Sequence, residues 1–73
     1  MSDIRNYENL ANAIILQAVK DYRAAGRKLK KKPDNTLARA EIGSIERFFR
    51  SGWYKYLTDV DGEMLIRKLR EED

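Results

Sequence analysis

The side chains that most often do chemistry at neutral pH are scarce in this chain. There is no histidine, the usual proton shuttle, and no cysteine to act as nucleophile or zinc ligand. The serines are Ser2, Ser44 and Ser51, and none stands in a G-x-S-x-G turn. Glu41 and Glu46 differ too far in helical phase to meet at one site, so both read as solvated helix acids. Carboxylates alone rarely hold zinc. Asp59-Val60-Asp61-Gly62 looks like part of a calcium loop. Setting Asp61-Gly62 at loop positions five and six puts Leu57 at position one and Lys68 at position twelve, where acids are required. The segment reads instead as a helix cap. The expectation is a non-enzymatic protein without metal or cofactor.

Charge is the stronger signal. The net charge is +3, but Lys20 to Lys32 holds seven basic residues against one acid, whereas Asp59 to Asp73 holds six acids against three bases. Such asymmetry steers an anionic partner. Arg23, Arg27, Lys28, Lys30 and Lys31 form the basic pole. They could neutralise phosphates, or could simply be the solvated end of a helix, whose dipole favours cations. A second constellation interleaves arginine with aromatic residues from Arg47 to Tyr56. Phe48, Phe49, Trp53 and Tyr56 fall on an apolar face and read as core. Tyr54 falls opposite them, near Arg47 and Arg50, and that trio is the candidate polar recognition surface, for a partner's phosphates or for a nucleotide at an oligomer interface.

Positioning these residues requires helices. Ile4, Tyr7, Ala11, Ile14, Ala18, Tyr22, Ala25 and Leu29 recur in steps of three and four, predicting a long first helix from Ser2 or Ile4 to Lys31, with Leu10 and Ile15 at the stripe's edges and Gly26 weakening its last turns. Pro33 ends it. Asp34, Asn35 or Thr36 caps a second helix from about Thr36, with Leu37, Ala38, Ile42, Ile45, Phe48 and Phe49 on one face. That helix either continues through Gly52 or breaks there. Thr58 with Asp61 three residues later, or Asp59 alone, starts a third helix, from about Asp59 to Glu71, carrying Leu65, Ile66 and Leu69. No stretch alternates with period two. The fold class is therefore all-α: one domain, residues 1–73, in which the first two helices form an antiparallel hairpin closed by a shorter C-terminal helix, with the aromatic cluster from Phe48 to Tyr56 capping one end of the core.

So short a chain has a marginal core and calls for good helix packing or self-association. Leu16 points away from the first helix's stripe and Val19 lies between the two faces. Together they suggest a second contact surface for a homodimer or a protein partner. No run is apolar enough to span a bilayer and no signal peptide opens the chain, so an intracellular setting, without membrane, is expected.

Three stretches carry a resemblance: Ala13-Ile14-Ile15-Leu16-Gln17-Ala18-Val19-Lys20-Asp21-Tyr22-Arg23, Ile45-Glu46-Arg47-Phe48-Phe49-Arg50-Ser51, and Leu57-Thr58-Asp59-Val60-Asp61-Gly62-Glu63. They are similar to a family of short helical proteins from phages, prophages and mobile elements of Firmicutes-type bacteria, and the resemblance spans most of the chain. It implies a setting in the cytoplasm of a bacterial host and an accessory role, of which anti-CRISPR and other anti-defence inhibitors are examples. It supplies no catalytic or binding residue to carry over. The leading expectation is a protein that binds a host protein or nucleoprotein complex and blocks it. The rival is direct nucleic-acid binding by a helical dimer.

Overall fold

The computed structural model describes residues 4–72, with side chains from Tyr7 onward. All regular structure among them is helical. There are four helices: α1 (Ile4–Lys31), α2 (Thr36–Phe49), α3 (Gly52–Leu57) and α4 (Gly62–Glu71). Ser2, the alternative start of the first helix, and the side chain of Ile4 lie outside the described residues.

α1 runs unbroken through Gly26, and its last turn carries Lys28, Lys30 and Lys31, which complement the helix dipole. The Lys32 amide still bonds to the Lys28 carbonyl (2.9 Å), and the chain then turns at Pro33 and Asp34. Asn35 is the N-cap of α2. Its side-chain oxygen accepts the Ala38 amide at 3.0 Å, satisfying one of the donors that the first helical turn leaves free.

The second helix does break, and Ser51 breaks it. Its amide donates to the Phe48 carbonyl (3.0 Å) and its hydroxyl donates to the same oxygen (2.6 Å), closing α2. The same hydroxyl accepts the Tyr54 amide (3.1 Å), opening α3. Ser51 is extended at φ −80°, ψ 159°, so α3 starts with a new helical phase. The apolar spacing extrapolated across Gly52 therefore fails: Trp53 and Tyr56, expected in the core, are exposed at 60% and 89%, while Tyr54, expected outside, is 1% exposed. The C-terminal helix begins three residues later than expected. Asp61 caps it, accepting the Glu63 amide at 2.9 Å. Gly62 meets the end of α2 so closely that a Cβ there would sit 2.0 Å from the Phe49 carbonyl oxygen.

The core is built from Val19 and Tyr22 of α1, Phe49 of α2, Tyr54 of α3, and Ile66 and Leu69 of α4, with Ile15, Ala18, Ile42, Ile45, Phe48 and Leu65 packed around it. The Tyr54 ring meets Phe49 (centroids 5.7 Å, 77°) and Phe48 (5.8 Å, 89°) edge to face, the arrangement that ring quadrupoles favour. Val19 is thus a core residue, because α3 and α4 pack over that flank of α1. Leu16 is 58% exposed, as expected.

The lengths of the helices do not match. At ~1.5 Å per residue, α1 with 28 residues is about 42 Å long, while α2 with 14 is about 21 Å long. The molecule measures 48 × 21 × 19 Å. α2 doubles back along the C-terminal half of α1 and stops, so the first turns of α1 project beyond the bundle. Tyr7, expected in the core stripe, and Leu10, expected at its edge, are 62% and 59% exposed for that reason. Leu37, at the other end of α2, is also exposed and not core. No described helix is long and apolar enough to cross a membrane.

Candidate functional site

A cleft of about 650 Å³ lies between the C-terminal half of α1, α2 and the end of α4. Arg23, Arg27 and Lys30 stand at i, i+4 and i+7 and so share one face of α1. They form one rim, with Arg70 of α4 opposite. Tyr22, Gly26, Ile42 and Leu69 supply a largely apolar floor. A Cβ at Gly26 would touch nothing within 4 Å, which leaves the floor open there. Three of the five expected basic-pole residues are brought together in this cleft. Lys28 and Lys31 point elsewhere and remain exposed on the surface of α1.

The cleft already holds a carboxylate. Glu72 leaves α4 in an extended conformation (φ −72°, ψ 142°) and its two oxygens accept Arg23 Nε at 2.9 Å and Nη2 at 2.8 Å. This is the fork-to-fork geometry by which guanidinium selects carboxylate or phosphate. The Arg23 hydrogen bond and charge hold the Glu72 carboxyl below its ordinary value. Arg27 and Lys30 have no acidic partner among the described residues, so the rim carries surplus positive charge.

Beneath Arg70 sits a polar network inside the core. Glu46, expected to be a solvated helix acid, is only 8% exposed. Tyr22 Oη donates to Glu46 Oε2 at 2.7 Å, Arg70 Nε donates to the same oxygen at 3.1 Å, and Arg70 Nη2 donates to Oε1 at 2.8 Å. Arg50 Nη1 stands 3.8 Å from Oε1. Burial pushes the Glu46 carboxyl upward, but the hydrogen bonds from Arg70 and Tyr22 and the charges of Arg70 and Arg50 outweigh it, and the net shift is downward. Burial, and then the adjacent Glu46, raise the Tyr22 phenol. With three donors on its two oxygens, Glu46 is an anchor for Arg70. It fixes one wall of the cleft.

Glu46 and Arg70 were missed as site residues, though their spacing holds a signal. Ile42, Glu46 and Phe49 follow one another by four and three, which centres Glu46 on the apolar face of α2. A carboxylate in that position requires a buried cationic or hydroxyl partner. Arg70 follows Ile66 by four residues and Leu69 by one, at the edge of α4's stripe.

The second expected site does not assemble. Arg50, though exposed, is paired with Glu63 of α4 (Nε to Oε1, 2.5 Å), Tyr54 is in the core, and Arg47 is exposed beside Gly43. The phase change at Ser51 is the reason. Tyr54 therefore presents no ring face on which a base or nucleotide could stack beside Arg47 and Arg50. Leu16 and Val19 do line a common groove, with Ile15, Val60 and Leu65, on the opposite flank of α1. Among the described residues no cluster of three or more acids could hold a metal ion. No protein-family model, no curated protein and no solved structure matches this chain.

Proposed function

We propose that this chain is a non-enzymatic binding protein whose cleft between α1 and α4 grips an acidic, partly apolar segment on the surface of a partner protein. The observation that carries this reading is the bidentate pairing of Arg23 with the Glu72 carboxylate at the mouth of a cleft whose remaining cations, Arg27 and Lys30, are unpaired among the described residues. Ile42 and Leu69 on the floor favour a ligand that has apolar side chains as well as carboxylates. A phosphate backbone would leave that floor unused. Complementary charge of this kind mainly accelerates encounter and excludes wrong partners.

The setting of an accessory protein of phage type, occupying and so blocking a host protein or nucleoprotein complex as anti-CRISPR inhibitors do, rests on the sequence resemblance alone. The cleft reading needs only the geometry. It is tested with a fluorescent amphipathic peptide carrying glutamates at i, i+4 and i+7, followed by anisotropy against the wild-type protein and against Arg27→Glu/Lys30→Glu. Two exposed ion pairs at about 0.5–1 kcal/mol each correspond to a loss of roughly tenfold or more in affinity for the double variant. Equal binding by both proteins would overturn the assignment. Retention of duplex DNA or RNA with a steep dependence on salt, and no retention of the peptide, would replace it with nucleic-acid binding.

A further inference from the structure

Arg23, Arg27, Lys30 and Arg70 line the cleft between α1, α2 and α4, and among the described residues that line it Glu72 is the one acid. Its carboxylate takes the Nε–Nη2 edge of Arg23 at 2.9 and 2.8 Å, the geometry in which a guanidinium receives a carboxylate from another molecule. That edge holds one carboxylate at a time. The fold does not depend on this pair. Ile66 and Leu69 bury α4 in the core, Gly62 packs on the Phe49 carbonyl, Arg70 ties the helix to Glu46, and Glu63 ties it to Arg50. Arg23 and Glu72 lie at the surface instead, with side chains 49% and 42% exposed. Glu72 stands just past the last residue of α4 in extended backbone, and its amide reaches the Leu69 carbonyl at a long 3.3 Å. A half-exposed ion pair in such a place adds little to stability and opens at little cost.

We propose that Glu72 is a built-in competitor for the cleft: it occupies Arg23 in the free protein and yields that edge to a carboxylate of the incoming partner. This inference rests on the reading of the cleft as a site for an acidic, partly apolar segment. When a partner's acid takes Arg23, one ion pair replaces another and the Glu72 carboxylate returns to water. Arg23 then adds little net affinity, and binding is driven by Arg27, Lys30 and the apolar floor of Ile42 and Leu69. Glu72 in this way makes the cleft selective. A ligand with a single acid exchanges one carboxylate for another and gains almost nothing, whereas a segment that reaches Arg27 and Lys30 and covers the floor gains at each. Discrimination of this kind comes from a repulsive, competing group as much as from attractive ones.

A double-mutant cycle on the full chain tests this, with the glutamate-bearing amphipathic peptide as probe and anisotropy as readout. Glu72→Gln keeps the length of the side chain and removes its charge, which frees Arg23. It should bind the peptide about 2–5-fold more tightly than the wild type, the worth of one exposed ion pair. Arg23→Gln in the wild-type background should weaken binding by less than about twofold, because Arg23 is already paired there. In the Glu72→Gln background the same substitution should abolish the gain. This non-additivity separates competition at Arg23 from a general effect of net charge, whose gain would persist without Arg23. All four proteins should share one helical circular dichroism spectrum. Peptide binding by the wild type that Glu72→Gln leaves equal or weaker overturns the competitor and leaves the cleft standing, as does a gain that survives in Arg23→Gln. No peptide binding by any of the four proteins overturns the cleft and the competitor together.

Discussion

Replacing Glu46 by glutamine keeps the volume of the side chain and removes its charge. In the native fold the carboxylate accepts from Tyr22 Oη at 2.7 Å and from two nitrogens of Arg70. Hydrogen bonds to a charged group contribute about 1.5–3 kcal/mol net. The guanidinium of Arg70 is 57% exposed, so solvent screens its share heavily, and the buried Tyr22 bond dominates the loss. A destabilisation of about 2 kcal/mol follows. Against a total of roughly 4–11 kcal/mol for a chain of this length, that is a large fraction, and it corresponds to a fall in Tm on the order of 10 °C. pH dependence gives a second arm. Folding holds the Glu46 carboxyl below its ordinary value of 4.5, so between the folded and unfolded values the unfolded chain binds more protons and stability rises with pH. The contribution of Glu46 is therefore complete above about pH 4.5 and is lost as pH falls through the folded value. Urea unfolding followed at 222 nm, at pH 7 and at pH 3.5, should show a gap between wild type and Glu46→Gln that narrows in acid. A gap under about 0.5 kcal/mol at pH 7, or one that widens in acid, would refute the anchoring role of this network.

Two glycines should respond with opposite sign. Gly26→Ala meets nothing within 4 Å in the middle of a helix and should stabilise the protein by about 0.5–1 kcal/mol, whereas Gly62→Ala forces a Cβ to 2.0 Å from the Phe49 carbonyl oxygen and should destabilise it by about 1–3 kcal/mol in the same urea assay. Phe49→Ala should cost about 3–5 kcal/mol, but Trp53→Ala, at a position 60% exposed, should change monomer stability by less than about 1 kcal/mol despite the larger side chain removed. Tyr54 Oη is buried without a partner, so Tyr54→Phe should be neutral or stabilising by thermal unfolding. Burial raises Tyr54, and burial and then Glu46 raise Tyr22, above the ordinary 10.0, so their contribution is full below pH 10 and is lost as pH climbs through the folded values; stability should fall steeply in alkali, and spectrophotometric titration should find two tyrosines ionising late.

The helical class, the extent of α1 and the turn at Pro33 were legible because they rest on local rules: spacing by three and four, proline's missing donor, and an asparagine cap. Two things were not legible. A single hydroxyl, Ser51, ends one helix and begins another, and helical phase does not carry across an extended residue, so the inward and outward sides of Trp53, Tyr54 and Tyr56 were reversed. The difference in length between α1 and α2 is visible in the boundaries, but the helical spacing does not show which turns stay bare: a stripe on a helix is core only where another helix lies on it, and Tyr7 and Leu10 are left exposed. The basic run that holds Arg23, Arg27 and Lys30 is visible without a fold, but not that these three line one cleft. Arg70 needed the fold, since only the packing of α4 beside α1 brings it to the same cleft.

Amide chemical-shift mapping by NMR, with the glutamate-bearing amphipathic peptide titrated into labelled protein, addresses the cleft most directly. Saturable shifts should concentrate at Gly26, Arg27, Lys30, Ile42 and Leu69, with the groove around Leu16 and Val60 unmoved. Shifts confined to the far end of α1, or none at millimolar peptide and low salt, would contradict a carboxylate-gripping cleft.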